Sequence, residues 1–422
     1  MTGGVAIQQP VPPMFEPNAF GLDSDQVDVI AKARDLAAAK FAPRAAVLDR
    51  DAVFPTENYQ DLHDAGLLAI CVPRDEGGLG ADFKTYMLAA AEIGRWCGAT
   101  ALTWNMHVCS CLWTGALADD LDMSSDDRAT HQRRRRDHYR RIVEDGAVYS
   151  QPFSEGGAAA AGVVPFSTRA IPEDGGWRIS GKKIFASLAG HADYYGILCG
   201  EVVEGVNPSR RDTMYIAVPA KATGVKVVGE WDPLGMRATV SRTLLFEDVF
   251  VPEAEALMPR GVYYQAATRW PHMFMTLSPA YVGIAQAAYD FTIAYLRGEM
   301  PGTPPVKRRM FPTKQHAVAE MHLLLEGTKA LWFQAVTDAG PDPTKEQVLR
   351  AYAAQHAAME NANELCRLAL RTCGGQSMLK TLPLERLYRD SRCGSLMLPW
   401  TAEICLDRVG RESLYEPGET DD

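Results

Sequence analysis

The spacing of apolar residues changes twice along this chain of 422 residues, and that double change limits the folds open to it more than any other feature. From Ser24 to about Gly146, apolar residues recur three and four apart, which places them on one helix face. SDQVDVIAKARDLAAAKFAPRAAVLDRD opens on Ser24 as a candidate N-cap. NYQDLHDAGLLAICVPRDEGGLG reads as a helix ending in a glycine-rich turn, and DFKTYMLAAAEIGRWCGATALTWNMHVCSCLWTGAL as one or two largely buried helices.

Between about Ala147 and Pro259 the period shortens to two. AVYSQPFS, STRAIPEDGGWRISGKKIFAS, YYGILCGEVV, TMYIAVPA, GVKVVGEW and TLLFEDVFVP are rich in Val, Ile, Tyr and Phe and are separated by Gly, Pro, Asp and Asn. They predict a small antiparallel barrel or sandwich. Helical spacing returns from Gly261 in HMFMTLSPAYVGIAQAAYDFTIAYLRG, TKQHAVAEMHLLLEGTKALWFQAV and TKEQVLRAYAAQHAAMENANELCRLALRTCGG. The expected architecture is α+β: helices over residues 20–146, a β domain over 147–259, and a bundle of four-helix type over 260–415.

Charge and cysteine usage narrow the function classes. Forty-three Lys and Arg against 53 Asp and Glu give a net charge of −10, which disfavours general affinity for nucleic acid or anionic membrane. The nine cysteines are scattered, without the paired spacing of a zinc site, and read as reduced thiols in a cytoplasmic protein. MTGGVAIQQPVPPMFEP has prolines and no sustained apolar run, so a loose N-terminus without signal peptide or membrane anchor is expected. THQRRRRDHYRR, 130–141, could contact a phosphate or an acidic carrier protein; a solvated helix face is the favoured alternative.

Six stretches, in order, resemble the acyl-CoA dehydrogenase family of flavoproteins over residues 20–415: FSEGG at 153–157, KKIFASLAG at 182–190, WDPLGMRATVSRTLLFEDVFVP at 231–252, TCGGQ at 372–376, PLERLYRD at 383–390 and TAEI at 401–404. The resemblance implies the same helix, sheet, helix order, FAD as cofactor and a homotetramer, with a mixed oligomer as the alternative. It implies an acyl-CoA or acyl-carrier-protein thioester as substrate, with electron-transfer flavoprotein as one candidate acceptor. Phe153, Ser154, Phe185 and Ser187 would border the isoalloxazine. Arg308 and Phe311, in RRMFPTKQ, would hold the pyrophosphate and adenine of a neighbouring subunit's FAD, with Arg371 adding a phosphate contact. Gly374 and Gly375 would let backbone approach the cofactor, and Thr401 and Glu403 would touch it. The chain departs from the family at GGAAAAG, 156–162, which replaces a Gly-Ser-Asp-rich loop.

A larger departure sits in LPWTAEI, 398–404. The family carries a glutamate and then a glycine just before the threonine, and the glutamate removes the α-proton of the thioester. Here those positions read Pro399 and Trp400, and neither can act as a base. Some members place the glutamate on the first helix of the C-terminal domain; that position is Met273, with Phe274 where an arginine is common. His272 is the nearest candidate for a replacement base, and His107 a weaker second. The leading reading is α,β-dehydrogenation of an acyl thioester with an atypical base; the alternatives are flavin-dependent monooxygenation on the same fold and a silent FAD- or thioester-binding partner subunit. Pro399, lacking an N–H, is expected to break the preceding helix.

Overall fold

Asp23, rather than Ser24, starts the first helix. Its carboxylate accepts the Gln26 N–H while the Gln26 side chain returns to the Asp23 N–H; Ser24 has no such partner three residues on. The computed structural model describes residues 12–156, 164–202, 204–206, 209–301, 303–416 and 419, with Cys111 and Trp113 described by backbone alone. Helix α1 (Ser24–Leu36) passes through a π turn at Ala37–Phe41 into α2 (Ala42–Asp51), which carries Pro43 in its first turn. Helix α3 (Thr56–Asp64) ends earlier than the glycine pattern suggests, because Gly66 takes the left-handed conformation at φ +73.

Helix α4 (Phe83–Gly94), capped by Asp82, is buried along nearly its whole length; α5 (Gly98–Thr114) packs on it, and α6 (Ala116–Asp119) and α7 (Ser125–Asp145) follow. The expected loose N-terminus is corrected from Pro12 onward. The Met14 N–H donates to Glu92, and Phe15 is buried with its ring 5.7 Å from that of Trp332.

Among the described residues eight strands follow: β1 (Tyr149–Ser150), β2 (Arg169–Glu173), β3 (Gly176–Ala186), β4 (Tyr194–Glu201), β5 (Thr213–Pro219), β6 (Val225–Val228), β7 (Arg242–Pro252) and β8 (Ala256–Met258). They form one sheet in the order β6-β7-β3-β2-β4-β5-β8, with β1 also on β4. Pairing is antiparallel except for two short parallel pairs, β1–β4 and β2–β4. The long β3–β7 ladder loses register between Lys183 and Ala186, a bulge of the kind that re-aims side chains beside a site.

The C-terminal helices are α8 (Val262–Arg269), α9 (Ser278–Arg297), α10 (Pro312–Thr337), α11 (Lys345–Cys373), α12 (Leu384–Cys393) and α13 (Ala402–Leu414), with a 3-10 segment at Pro271–Leu277 leading into α9. Helix α11 packs on α9, α10, α12 and α13. The bundle joins the N-terminal helices where α4 crosses α9. A Cβ at Gly94 would stand 2.7 Å from the Ala280 carbonyl oxygen, and one at Gly283 would stand 2.3 Å from that of Ala91. Only glycine permits so close a crossing. Helix α12 stops at Cys393, before Pro399, and a 3-10 turn at Gly394–Leu396 intervenes, so the proline does not set the helix end.

Candidate functional site

The bulge in β3 leaves residues 184 and 185 unpaired between Lys183 and Ala186 and presents Phe185 at φ +51 with 67% of its surface exposed. An aromatic residue in the left-handed region with its ring bared to solvent is held there by its surroundings. Leu188, Met236 and Val240 share positive φ, and the two segments brace each other. The Leu188 N–H donates to Thr239 O at 3.0 Å, Ser187 Oγ meets Ser241 Oγ at 2.9 Å, and Ser241 Oγ meets Thr239 Oγ1 at 2.7 Å. Ser150 Oγ donates to the Ser187 carbonyl at 2.6 Å, so Ser187 is fixed from both sides.

The loop carrying Phe153 and Ser154 is pinned to this surface from beneath. Ser154 O accepts the Ile184 N–H at 2.7 Å. Next to it, Glu155 accepts from the amides of Ser167 and Thr168 and from Lys183 Nζ at 2.7 Å, and Lys183 also donates to Leu198 O at 2.6 Å. The Glu155 and Lys183 side chains are 2% and 0% exposed. Burial outweighs the ion pair for the amine and lowers its pKa; for Glu155, Lys183 and the donors together overcome burial and hold it down at about 2. Phe153 packs against Tyr263, ring centroids 6.2 Å apart. Of GGAAAAG, all but Gly156 lies outside the described residues.

A second surface forms where α10 begins and α11 ends. Arg308 lies over the Tyr295 ring at 4.8 Å, Tyr295 OH donates to Gln376 at 3.1 Å, and Lys314 donates to Thr372 O. These contacts gather Arg308 and Phe311 with Gly374 and Gly375, and Arg371 is exposed on the same end of α11. Phe311 is 52% exposed, and nothing lies within 4 Å of a Cβ built on either glycine, so ring and backbone are both open to a ligand.

The third part is the turn before α13. Thr401 caps that helix, its Oγ1 accepting the Ile404 N–H, and Glu403 is exposed in the first turn. Trp400 is 5% exposed, 4.2 Å from the Tyr352 ring and 5.7 Å from Phe274. Met273, at the alternative base position, is 1% exposed. His272 is fully buried, which pushes its pKa down to about 4, and neither ring nitrogen has a hydrogen-bond partner among the described residues. His107 is different. Its Nδ1 accepts the Tyr149 N–H at 3.0 Å, which leaves Nε2 to donate to Leu68 O at 2.9 Å, so both nitrogens serve the structure.

Comparison with known proteins joins these parts. Residues 23–117, 153–249 and 275–396 match the family models for the acyl-CoA dehydrogenase N-terminal, middle and C-terminal domains. The mitochondrial short-chain specific acyl-CoA dehydrogenase of Mus musculus is 30% identical over 366 residues, 85% of this chain and 83% of that protein. The chain belongs to the acyl-CoA dehydrogenase family. It is a flavoenzyme of that type. Among solved structures, KijD3 in complex with dTDP superposes with a TM-score of 0.78 at 25% identity, covering 93% of this chain and 97% of that one. The dibenzothiophene monooxygenase TdsC from Paenibacillus sp. A11-2 gives 0.75 at 21% identity, with 92% and 97% covered.

The residues present fit a flavin: an exposed aromatic ring on a strained bulge, braced hydroxyls beside it, and bare glycine backbone next to a guanidinium. The sequence reading missed the Thr239–Ser241 brace, the Lys183–Glu155 tie and Tyr352; WDPLGMRATVS marks the first, while the others depend on contacts distant in sequence. The basic helix is largely spent on ion pairs, with Arg134, Arg135, Arg136 and Arg141 facing Glu253, Asp119, Glu76 and Glu255. No described helix is long and apolar enough to cross a membrane, and no cluster of potential metal ligands occurs among the described residues.

Proposed function

We propose that this protein is a flavin-dependent monooxygenase built on the acyl-CoA dehydrogenase fold. The observation that carries the reading is the state of both base positions: Pro399 occupies one, with Trp400 beside it packed on Tyr352 and Phe274, and Met273 occupies the other. Dehydrogenation needs a base within hydrogen-bond reach of the α-proton, and no side chain at these positions accepts one. A bound flavin supplies hydride acceptance when oxidised and oxygen activation when reduced. For the second chemistry, the chain's task is to shape a dry enclosure and orient the substrate, which suits aromatic walls.

In this reading FAD is the flavin. Phe153 and Phe185 flank its ring, and Ser154 and Ser187 hydrogen-bond it. Arg308 and Arg371 take the phosphates of a neighbouring protomer's cofactor in a homotetramer, Phe311 packs on the adenine, and Gly374, Gly375, Thr401 and Glu403 complete the contact. TdsC, a monooxygenase by name, supports the compatibility of this fold with that reaction.

One observation favours a second reading. His272, neutral and without a hydrogen-bond partner among the described residues, has a free lone pair beside the Met273 position. It would serve as the base for α,β-dehydrogenation of an acyl-CoA or acyl-carrier-protein thioester, with electron-transfer flavoprotein as acceptor. The kinship with short-chain acyl-CoA dehydrogenases supports it. The deciding experiment supplies NADH and a separate flavin reductase and measures substrate-dependent oxygen uptake with an oxygenated product. Uptake coupled to product supports monooxygenation; its absence, together with acyl-CoA-dependent reduction of an artificial acceptor that His272→Ala abolishes, replaces it with the second reading.

A further inference from the structure

Gln355 lies on the face of α11 that carries Tyr352 and Met359, and that face supports the turn holding Trp400. Tyr352 stacks on Trp400, and Met359 Sδ lies 2.5 Å from where a Cβ of Gly394 would be. The segment Pro271–Leu277, bearing His272 and Phe274, packs on the same helix. Gln355 and His272 are both 0% exposed, and none of their four polar side-chain atoms has a hydrogen-bond partner among the described residues. Ser395 Oγ, 1% exposed as a residue and next to Gly394, is likewise unpartnered.

A buried amide, imidazole or hydroxyl left unpaired costs on the order of 1–3 kcal/mol, so five such atoms on α11 and on the two segments packed against it, Pro271–Leu277 and Gly394–Leu396, call for a partner. All five belong to groups that are neutral at pH 7. The nearby ionic pair, Asp338 and Arg350, is satisfied internally. A carboxylate, phosphate or ammonium would therefore enter without a counter-charge, at a large desolvation cost. The wall formed by Trp400, Tyr352 and Phe274 offers ring faces and edges, which suit a planar group.

We infer that Gln355, His272 and Ser395, beneath the Trp400–Tyr352–Phe274 wall, form the recognition site for a neutral planar aromatic molecule bearing a hydroxyl or amide, rather than for an acyl thioester. The inference rests on the monooxygenase reading for its place in the reaction, but its binding chemistry stands apart from turnover. Trp400 is the entry point. Among the described turn and loop hydrogen bonds, none is donated by the amides of Leu398 or Trp400, and Pro399 has no amide hydrogen to donate. Among the described residues the Trp400 carbonyl accepts only from Cys405 Sγ, at 3.9 Å, so the indole is held mainly by its packing on Tyr352 and Phe274.

The test is calorimetric titration of the flavin-loaded protein with p-cresol, toluene, 4-methylbenzoate and butyryl-CoA. Saturable binding of p-cresol is expected, with each of the others at least tenfold weaker. Gln355→Leu and His272→Phe should each weaken p-cresol about tenfold and leave toluene unchanged. Equal affinity for p-cresol and toluene overturns the inference, as does butyryl-CoA binding more tightly than p-cresol. If no aromatic binds, the unpaired groups hold structural water only and the inference fails; this arm uses the unmodified protein and does not depend on either variant folding. Oxygen uptake is measured separately, so p-cresol binding without uptake sinks the monooxygenase reading and leaves the recognition site standing.

Discussion

Trp400 and Tyr352 hold their ring centroids 4.2 Å apart at 36°, packing an aromatic pair directly beside Pro399, the position at which the family resemblance implies a carboxylate. The pair is as much structural as functional. Replacing Trp400 with glycine removes a 5% exposed side chain and should cost about 3–5 kcal/mol, the usual range for emptying an aromatic site. Combined with Pro399→Glu, the change restores a carboxylate and glycine before Thr401. The double variant should let butyryl-CoA reduce bound flavin at least tenfold faster than the unmodified protein does. Equal rates would mean that the turn does not govern proton abstraction.

Arg308 and Phe311 bear on which flavin is resident. Phe311 would reach only the adenine, which FMN lacks, whereas Arg308 would reach the phosphates, one of which FMN keeps. Phe311→Ala should therefore raise the Kd for FAD about tenfold and leave that for FMN unchanged, while Arg308→Ala weakens FAD at least as much as FMN, as followed by flavin fluorescence quenching. Equal losses for both flavins in Phe311→Ala would move that residue away from the adenine.

The Lys183–Glu155 pair predicts a stability effect. Lys183→Met leaves Glu155 buried without its cation, and breaking such a pair typically costs about 3–5 kcal/mol. Adding Glu155→Gln should recover part of that loss, because the stranded charge is then gone. Urea unfolding of the single and double variants gives both numbers, and a single variant as stable as the parent would contradict the assignment.

Acid should loosen the fold over a defined window. Burial is the leading cause that holds His107, His131 and His272 down at about 4 and His138 at about 3. Unfolded imidazoles titrate near ~6.5, so between these values the unfolded chain binds more protons and stability falls as pH drops from about 6.5 towards 4. Asp390 works in the opposite direction. Its carboxyl is raised to about 6 chiefly by burial, Glu92 is raised for the same reason, and the folded state takes up those protons first, but they are two groups against the four histidines. Tm should be flat from pH 8 to 7 and decline from 6.5 to 4; a Tm that holds or rises through that window would contradict the burial of these histidines.

The three-part fold was legible because the apolar period alone separates helix from strand, and the core helices α4, α9 and α11 follow it closely. Helix ends were less so. Asp23 won over Ser24 through a reciprocal bond with Gln26, and α12 ended before Pro399 was reached. The vacant base positions could be read directly from Pro399 and Met273. What filled them could not, since Tyr352 stands 48 positions from Trp400 in the chain and nothing local ties the two. The strained bulge at Phe185 was hidden for a similar reason: it arises from a register shift against β7, not from the residues of β3 themselves.

The central claim is that this flavoenzyme works without the family's proton-abstracting carboxylate. Anaerobic titration of the flavin-loaded protein with a series of acyl-CoA thioesters, followed through the visible flavin bands, tests it most directly. The bands should persist unbleached at saturating butyryl-, octanoyl- and isobutyryl-CoA. Stoichiometric bleaching by any one of them would contradict the account.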